Sequence, residues 1–213
     1  MPPQPKLADS TRRRRAAAWA GHRGDDACAR AFLGDPDGAV RATALGALLR
    51  AGALEETHLR AALTDPDPRT RSRAVELVAE LSGGGVAAAV TLVPLLDDPD
   101  PVVVEVAAWA SGERVPAEPG AVARLTEIAT GADDSLVRES AVAALGSLGD
   151  PAGLPAILAA TTDKATVRRR AVIALAPFEG PEVEAAYERA RADRDWQVRQ
   201  AAEDLSQPPP AGS

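Results

Sequence analysis

Two residue types recur along this chain at positions where they could do chemistry. Arginine stands at Arg41, Arg71, Arg138, Arg168 and Arg199, each one residue after Val40, Thr70, Val137, Val167 or Val198 and three before an alanine. Aspartate stands three residues before the same kind of anchor, at Asp37, Asp67, Asp100, Asp134 and Asp195. A guanidinium offers five donors in a planar fork and a carboxylate accepts two of them at once. A row of such arginines could hold phosphates, or each could pair within the protein. The aspartate beside each arginine favours pairing, so the two columns are expected to form a structural ladder, each Arg reaching the Asp or turn carbonyls next door. One copy departs: Val103, Val104 and Ala107 keep the pattern without its arginine.

Few other groups could carry a reaction. One cysteine, Cys28, excludes an internal disulfide and any multi-cysteine metal site, and two histidines, His22 and His58, leave little for zinc or iron. No Gly-rich phosphate loop, nucleophile elbow or pair of catalytic carboxylates stands out. No catalytic residue, cofactor or metal is expected, and the protein is read as a non-enzyme. Arg12, Arg13, Arg14 and Arg15 form the most basic segment, expected as the solvated face of a terminal helix.

The elements that position these columns follow from the spacing. Anchored at 40, 70, 103, 137, 167 and 198, the copies recur every thirty to thirty-four residues, with a degenerate copy around Asp9 to Ala16. Such a period belongs to a stacked repeat whose unit cannot bury its own apolar face. The Asp-Pro-Asp triplets at 35–37, 65–67 and 98–100 end one helix and start another. The proline disfavours helix at the aspartate before it, and the second aspartate caps the next helix. Each repeat reads as two helices, the second carrying Val, Arg and Ala at helical spacing. The shorter first helices are expected at 25–33, 54–63, 86–96, 121–130, 151–160 and 181–191. No run alternates as a strand would.

Composition agrees. Hydrophobic residues are 46% of the 213 but aromatics only 3%, so the core is built from Ala, Val and Leu, which suits helices packed closely on helices. The net charge of −7 argues against a generic nucleic-acid or acidic-membrane binder. No apolar stretch is long enough to span a membrane, and the Pro-rich, polar start lacks the apolar segment of a signal peptide, so a cytoplasmic location is expected. Only two basic residues are lysine, and asparagine is absent, a bias that a GC-rich genome would produce unaided.

The stretch Val137-Arg138, Ala141, Ala144-Leu145-Gly146 and Leu148-Gly149-Asp150, with the Asp-Pro-Asp turns, resembles HEAT repeats of the short bacterial type called PBS-lyase HEAT-like. The resemblance covers residues 9–205, nearly the whole chain. It implies an all-α, right-handed α-α superhelical solenoid of about six repeats plus a degenerate N-terminal capping helix, with second helices lining the concave face. Residues 1–8 and 206–213 are expected as disordered tails. The resemblance implies no single activity. HEAT-like hydroxylases that bind two irons carry repeated His-Glu pairs, which this chain lacks.

The expected function is therefore a non-catalytic scaffold or adaptor binding a protein or peptide on its concave face. Trp109 belongs to a column of mixed polarity (Gly46, Glu76, Ala143, Ile173, Asp204), expected on that face as an apolar anchor. Glu105, Glu139 and Arg169 in one column, and Arg73 and Arg170 in the next, supply a polar rim. Glu76 and Ile173 complete the candidate set. Trp109 also lies in the repeat without its arginine and beside the longest connection, 111–120. Trp19 is expected in the core and Trp196 half-exposed. The alternative is a nucleic-acid binder related to the HEAT-like DNA glycosylases, using Arg-rich helices.

Overall fold

The computed structural model describes residues 5–81 and 84–206, side chains from 9 to 205; within them all regular secondary structure is helical. The chain divides into two compact units, Met1–Thr91 and Leu92–Ser213. In the first, α1 (Pro5–Arg23), α3 (Gly38–Arg50) and α5 (Pro68–Glu80) pack side by side, backed by α2 (Asp26–Ala31) and α4 (Glu56–Leu63). In the second, α6 (Pro101–Gly112), α8 (Ser135–Leu148), α10 (Ala165–Ala174) and α12 (Trp196–Ser206) form the row, backed by α7 (Ala121–Gly131), α9 (Leu154–Ala160) and α11 (Pro181–Arg191).

The sequence columns become layers. The anchors Val40, Thr70, Val103, Val137, Val167 and Val198 are buried, as are Ala44, Ala74, Ala107, Ala141, Ala171 and Ala202 four residues later. An apolar position every three or four residues gives each row helix one stripe to bury. Small residues in that stripe let helices approach closely. A methyl on Gly112 would stand 2.7 Å from Ala144 Cα, and one on Gly146 2.6 Å from Ala174 Cα. Helix ends follow equally local rules. Asp37, Asp67, Asp100, Asp134 and Asp195 each accept the amide two residues on, at 2.8 to 3.0 Å, satisfying a donor that the helix leaves free. Gly149 closes α8 in the left-handed region at φ 62°, where a side chain would be strained.

Three expectations are corrected. The segment 86–96 is not a helix but two 3₁₀ turns, Gly85–Ala87 and Val93–Asp97. Pro94 lacks an amide and its ring would clash one turn back, while β-branched Val90, Thr91 and Val93 resist the helix further. Helix α1 starts at Pro5, inside the expected tail. Proline is well placed there because the first helical amide has no partner in any case. Residues 1–4 and 207–213, the remainder of both expected tails apart from Ser206 at the end of α12, lie outside the described residues.

Trp19 is the third. It is 57% exposed rather than core. It shares its repeat position with Ala47 and Ala144, which are buried where the preceding row helix crosses at Gly21 and Gly112. Among the described residues α1 is the first helix of its row and none covers Trp19 from that side; its ring meets the edge of His22 at 6.3 Å.

Candidate functional site

The arginine column forms clamps of nearly constant geometry. Arg138 donates from Nε and Nη2 to both oxygens of Asp163, at 2.6 and 2.8 Å, and from Nη1 to the carbonyl of Ala132 at 2.7 Å. Arg168 does the same to Asp193, at 2.8 and 2.7 Å, and to the Asp163 carbonyl at 2.8 Å. Arg41 holds Asp65, at 2.8 and 2.5 Å, with Nη1 on the Asp35 carbonyl at 2.7 Å. Arg13 in α1 holds Asp35 at 2.6 Å, with a longer second bond of 3.2 Å. The guanidiniums of Arg41, Arg138 and Arg168 thus tie the turn of their own repeat to the turn of the next, a unit termed a rung below. In the turns at 35–37, 65–67 and 193–195 the carboxylate gripped is the first aspartate, and the second, named with the arginines from sequence, is the helix cap; Asp163 stands alone, followed by Lys164 at the cap. Arg71 and Arg199 likewise reach their own turns, at the carbonyls of Asp65 and Asp193.

The first aspartate has a second task. Oδ1 of Asp35, Asp65 and Asp193 accepts the amide of the capping aspartate two residues on, at 2.8 to 2.9 Å. Hydrogen bonds from Arg138 and Arg168 hold the carboxyls of Asp163 and Asp193 below the usual carboxylate range. For Asp35 and Asp65 the largest influence is burial, which pushes upward; arginine and amide hydrogen bonds together outweigh it and leave both lowered.

One rung is missing as a pair. Val104 replaces the arginine, and Ala132 stands five residues before its anchor Val137, where Asp35, Asp65, Asp98 and Asp193 precede theirs. The arginine and the aspartate at that position are both gone, while Asp133 remains four residues before Val137, the spacing at which Asp163 precedes Val167. The connection that follows Val104's helix is pinned in place: Arg114 pairs with Glu118 at 2.5 Å, and the Glu118 carboxylate accepts the amide of Leu92 at 3.0 Å.

Several exposed apolar groups lie along the second row. Trp109 is 46% exposed and lines a cavity of about 360 Å³ with Glu105, Leu136, Glu139, Ser140 and Arg170, contributed by α6, α8 and α10. Arg170 approaches Glu139 at 3.4 Å across two helices. Four of the sequence candidates, Trp109, Glu105, Glu139 and Arg170, therefore meet at one place. Arg169 and Ile173 line a second cavity, of about 350 Å³, with Trp196 and Leu205 between α10 and α12. Arg73 and Glu76 lie in the first unit, on α5, paired with each other at 2.8 Å. Of the basic segment, Arg12, Arg14 and Arg15 are exposed while Arg13 is taken by Asp9 and Asp35.

The sequence profile for HEAT repeats matches residues 56–146 and 122–206. The chain is a HEAT-repeat protein. Its fold is that of solved repeat proteins: a designed armadillo repeat protein in complex with the peptide (KR)4 is 21% identical, with a TM-score of 0.61 over 82% of this chain and 95% of that one. Another engineered protein is also 21% identical, with a TM-score of 0.60 over 85% and 94% of the two chains. No curated protein sequence matches. In this HEAT-repeat protein, Leu136 and Trp196 are among the surface residues that sequence reasoning left out of the candidate set. Their signal was a large apolar side chain at the start of a helix: Leu136 stands where other repeats place Arg69 or Gln197, and Trp196 where they place Pro68, Pro101 or Ser135. No helix among the described residues is long and apolar enough to cross a membrane.

Proposed function

We propose that this HEAT-repeat protein is a non-catalytic interaction module that binds a protein or peptide across α6, α8 and α10, with Trp109 as its apolar anchor. One observation carries the reading: a tryptophan half exposed in a cavity that it shares with Leu136, Ser140 and Ala143 inside a rim of Glu105, Glu139 and Arg170. Interfaces commonly place an aromatic anchor in a concave, partly apolar pocket inside a charged rim. The mixed signs of that rim suit a polypeptide carrying both charges better than a polyanion. Peptide binding on a repeat surface has a precedent in the designed armadillo protein.

The test is capture of partners by the whole chain and by Trp109→Ala, followed by titration of the enriched partner. The variant should keep its helicity and lose affinity by about 2 kcal/mol or more. Capture of the same partner with unchanged affinity would place the interface elsewhere. Titration with duplex DNA at two salt concentrations addresses the nucleic-acid alternative. Tight binding that weakens steeply with salt would replace the peptide reading.

A further inference from the structure

The missing rung leaves a space with a definite shape. Between α6, α7 and the turn before α8 lies a cavity of about 420 Å³. Its floor is Leu96, Val104, Ile128 and Val137, with Pro99 and Pro101 at one side. Its rim carries Asp97, Asp98, Asp133 and Asp134, against one cation, Arg124. That cation is already matched, its guanidinium lying 2.7 Å from Asp97 and 2.7 Å from Glu127. Asp134 uses Oδ1 to cap α8 through the Leu136 amide at 2.8 Å. The Asp133 carboxylate is exposed and has no hydrogen bond or ion pair among the described residues.

The rest of the chain shows what such a niche takes. In the rungs of Arg41, Arg138 and Arg168 an arginine lies against the repeat turn, its guanidinium stretched between a backbone carbonyl and a carboxylate. At Val104 and Ala132 the scaffold of that niche persists, but its own guanidinium is replaced by methyl groups. An arginine from outside has a long apolar stem to lay on Val104, Ile128 and Pro101, and a planar head to present to Asp133 and Asp134. Lysine matches the stem but not the two-pronged head.

We infer that the Val104–Ala132 gap is a binding site for an arginine side chain of a partner polypeptide, occupying the place that the protein's own arginines take in the intact rungs. The site is distinct from the Trp109 cavity, and it stands or falls independently of the function proposed for that face.

The probe is N-acetyl-arginine methylamide, titrated into the methyl-labelled full chain and followed by NMR. Saturable shifts are expected at the methyls of Val104, Ile128 and Val137. The leucine analogue, and to a lesser degree the lysine analogue, should bind at least about tenfold more weakly, which corresponds to about 1.4 kcal/mol. Val104→Arg combined with Ala132→Asp rebuilds the rung from within; it should raise the melting temperature and abolish the shifts. Asp133→Asn tests the head group without touching the packing, and should weaken the arginine probe several-fold while leaving the leucine analogue unchanged. Equal binding of the arginine and leucine analogues would overturn the inference. So would the absence of saturable shifts at these methyls, or undiminished binding to a folded rebuilt-rung variant.

Discussion

Arg138 divides its donors between two repeats, and removing it strands acceptors on both. Asp163 loses two charge-assisted hydrogen bonds and the Ala132 carbonyl loses its donor. Arg138→Ala is therefore expected to destabilise by about 1–3 kcal/mol, read from urea unfolding, without changing what the Trp109 face binds. A neutral stability effect with lost binding would make the column a ligand site. Trp109 has the opposite profile: half exposed, it leaves no sealed cavity when shortened. Trp109→Ala should cost at most about 1 kcal/mol of stability, well below the 3–5 kcal/mol typical of a buried aromatic, and a melting curve decides. The arginine column and the capping aspartates were legible in sequence because position and residue type agree in nearly every copy. Which of two aspartates the arginine grips was not. The two are identical and two residues apart, and only the path of the turn brings the first to the neighbouring guanidinium. Ala132 went unread for a related reason: Asp133 and Asp134 look like an intact acidic turn unless residues are counted back from Val137.

Among the elements, the row helices owe their closeness to glycine. Gly146 sits inside α8 with Ala174 where its side chain would be, at 2.6 Å. Alanine is the better helix former by up to about 1 kcal/mol, yet Gly146→Ala should destabilise by about 1–3 kcal/mol through overpacking. Gly131 ends α7 in open space, with nothing within 4 Å of the point where a methyl would stand, so Gly131→Ala is expected to be neutral or mildly stabilising. Thermal melts of the two variants check the pair, and equal shifts would remove close packing as the reason for the glycine. Existence and order of most helices could be read from period and caps. The stretch 86–96 could not, because its hydrophobic spacing suits a helix while Pro94 and the β-branched residues do not. Trp19 failed differently. Its repeat position is buried only where a preceding helix exists, a property of the row rather than of the residue.

At the scale of the molecule, the rungs add up to a dependence on acid. Asp35, Asp65, Asp163 and Asp193 hold their protons less tightly folded than free. The unfolded chain therefore binds more protons as pH falls through the ordinary aspartate value of about 3.9, and the stability these groups supply, complete above it, is lost below it. Urea midpoints should stay level between pH 7 and 5 and then fall below about 4. Asp163→Asn should start lower at neutral pH and fall less; an acid slope unchanged by that variant would take the rungs out of the account. The missing rung also bears on how such an array can be rearranged. Two repeats joined through an intact rung present the same half-contacts as any other such pair, so a segment copied or excised between them rejoins arginine to aspartate. The joint between α6 and α8 accepts such an exchange on one side only. A turn with its aspartate placed after α6 would face Val104, and the turn before α8 placed after an arginine-bearing helix would offer Ala132. The first splice strands a carboxylate in a half-buried seat, whereas the second still offers the arginine Asp133, in the register of Asp163. In a chain of otherwise interchangeable parts, Val104 makes this joint selective for the turn that follows it.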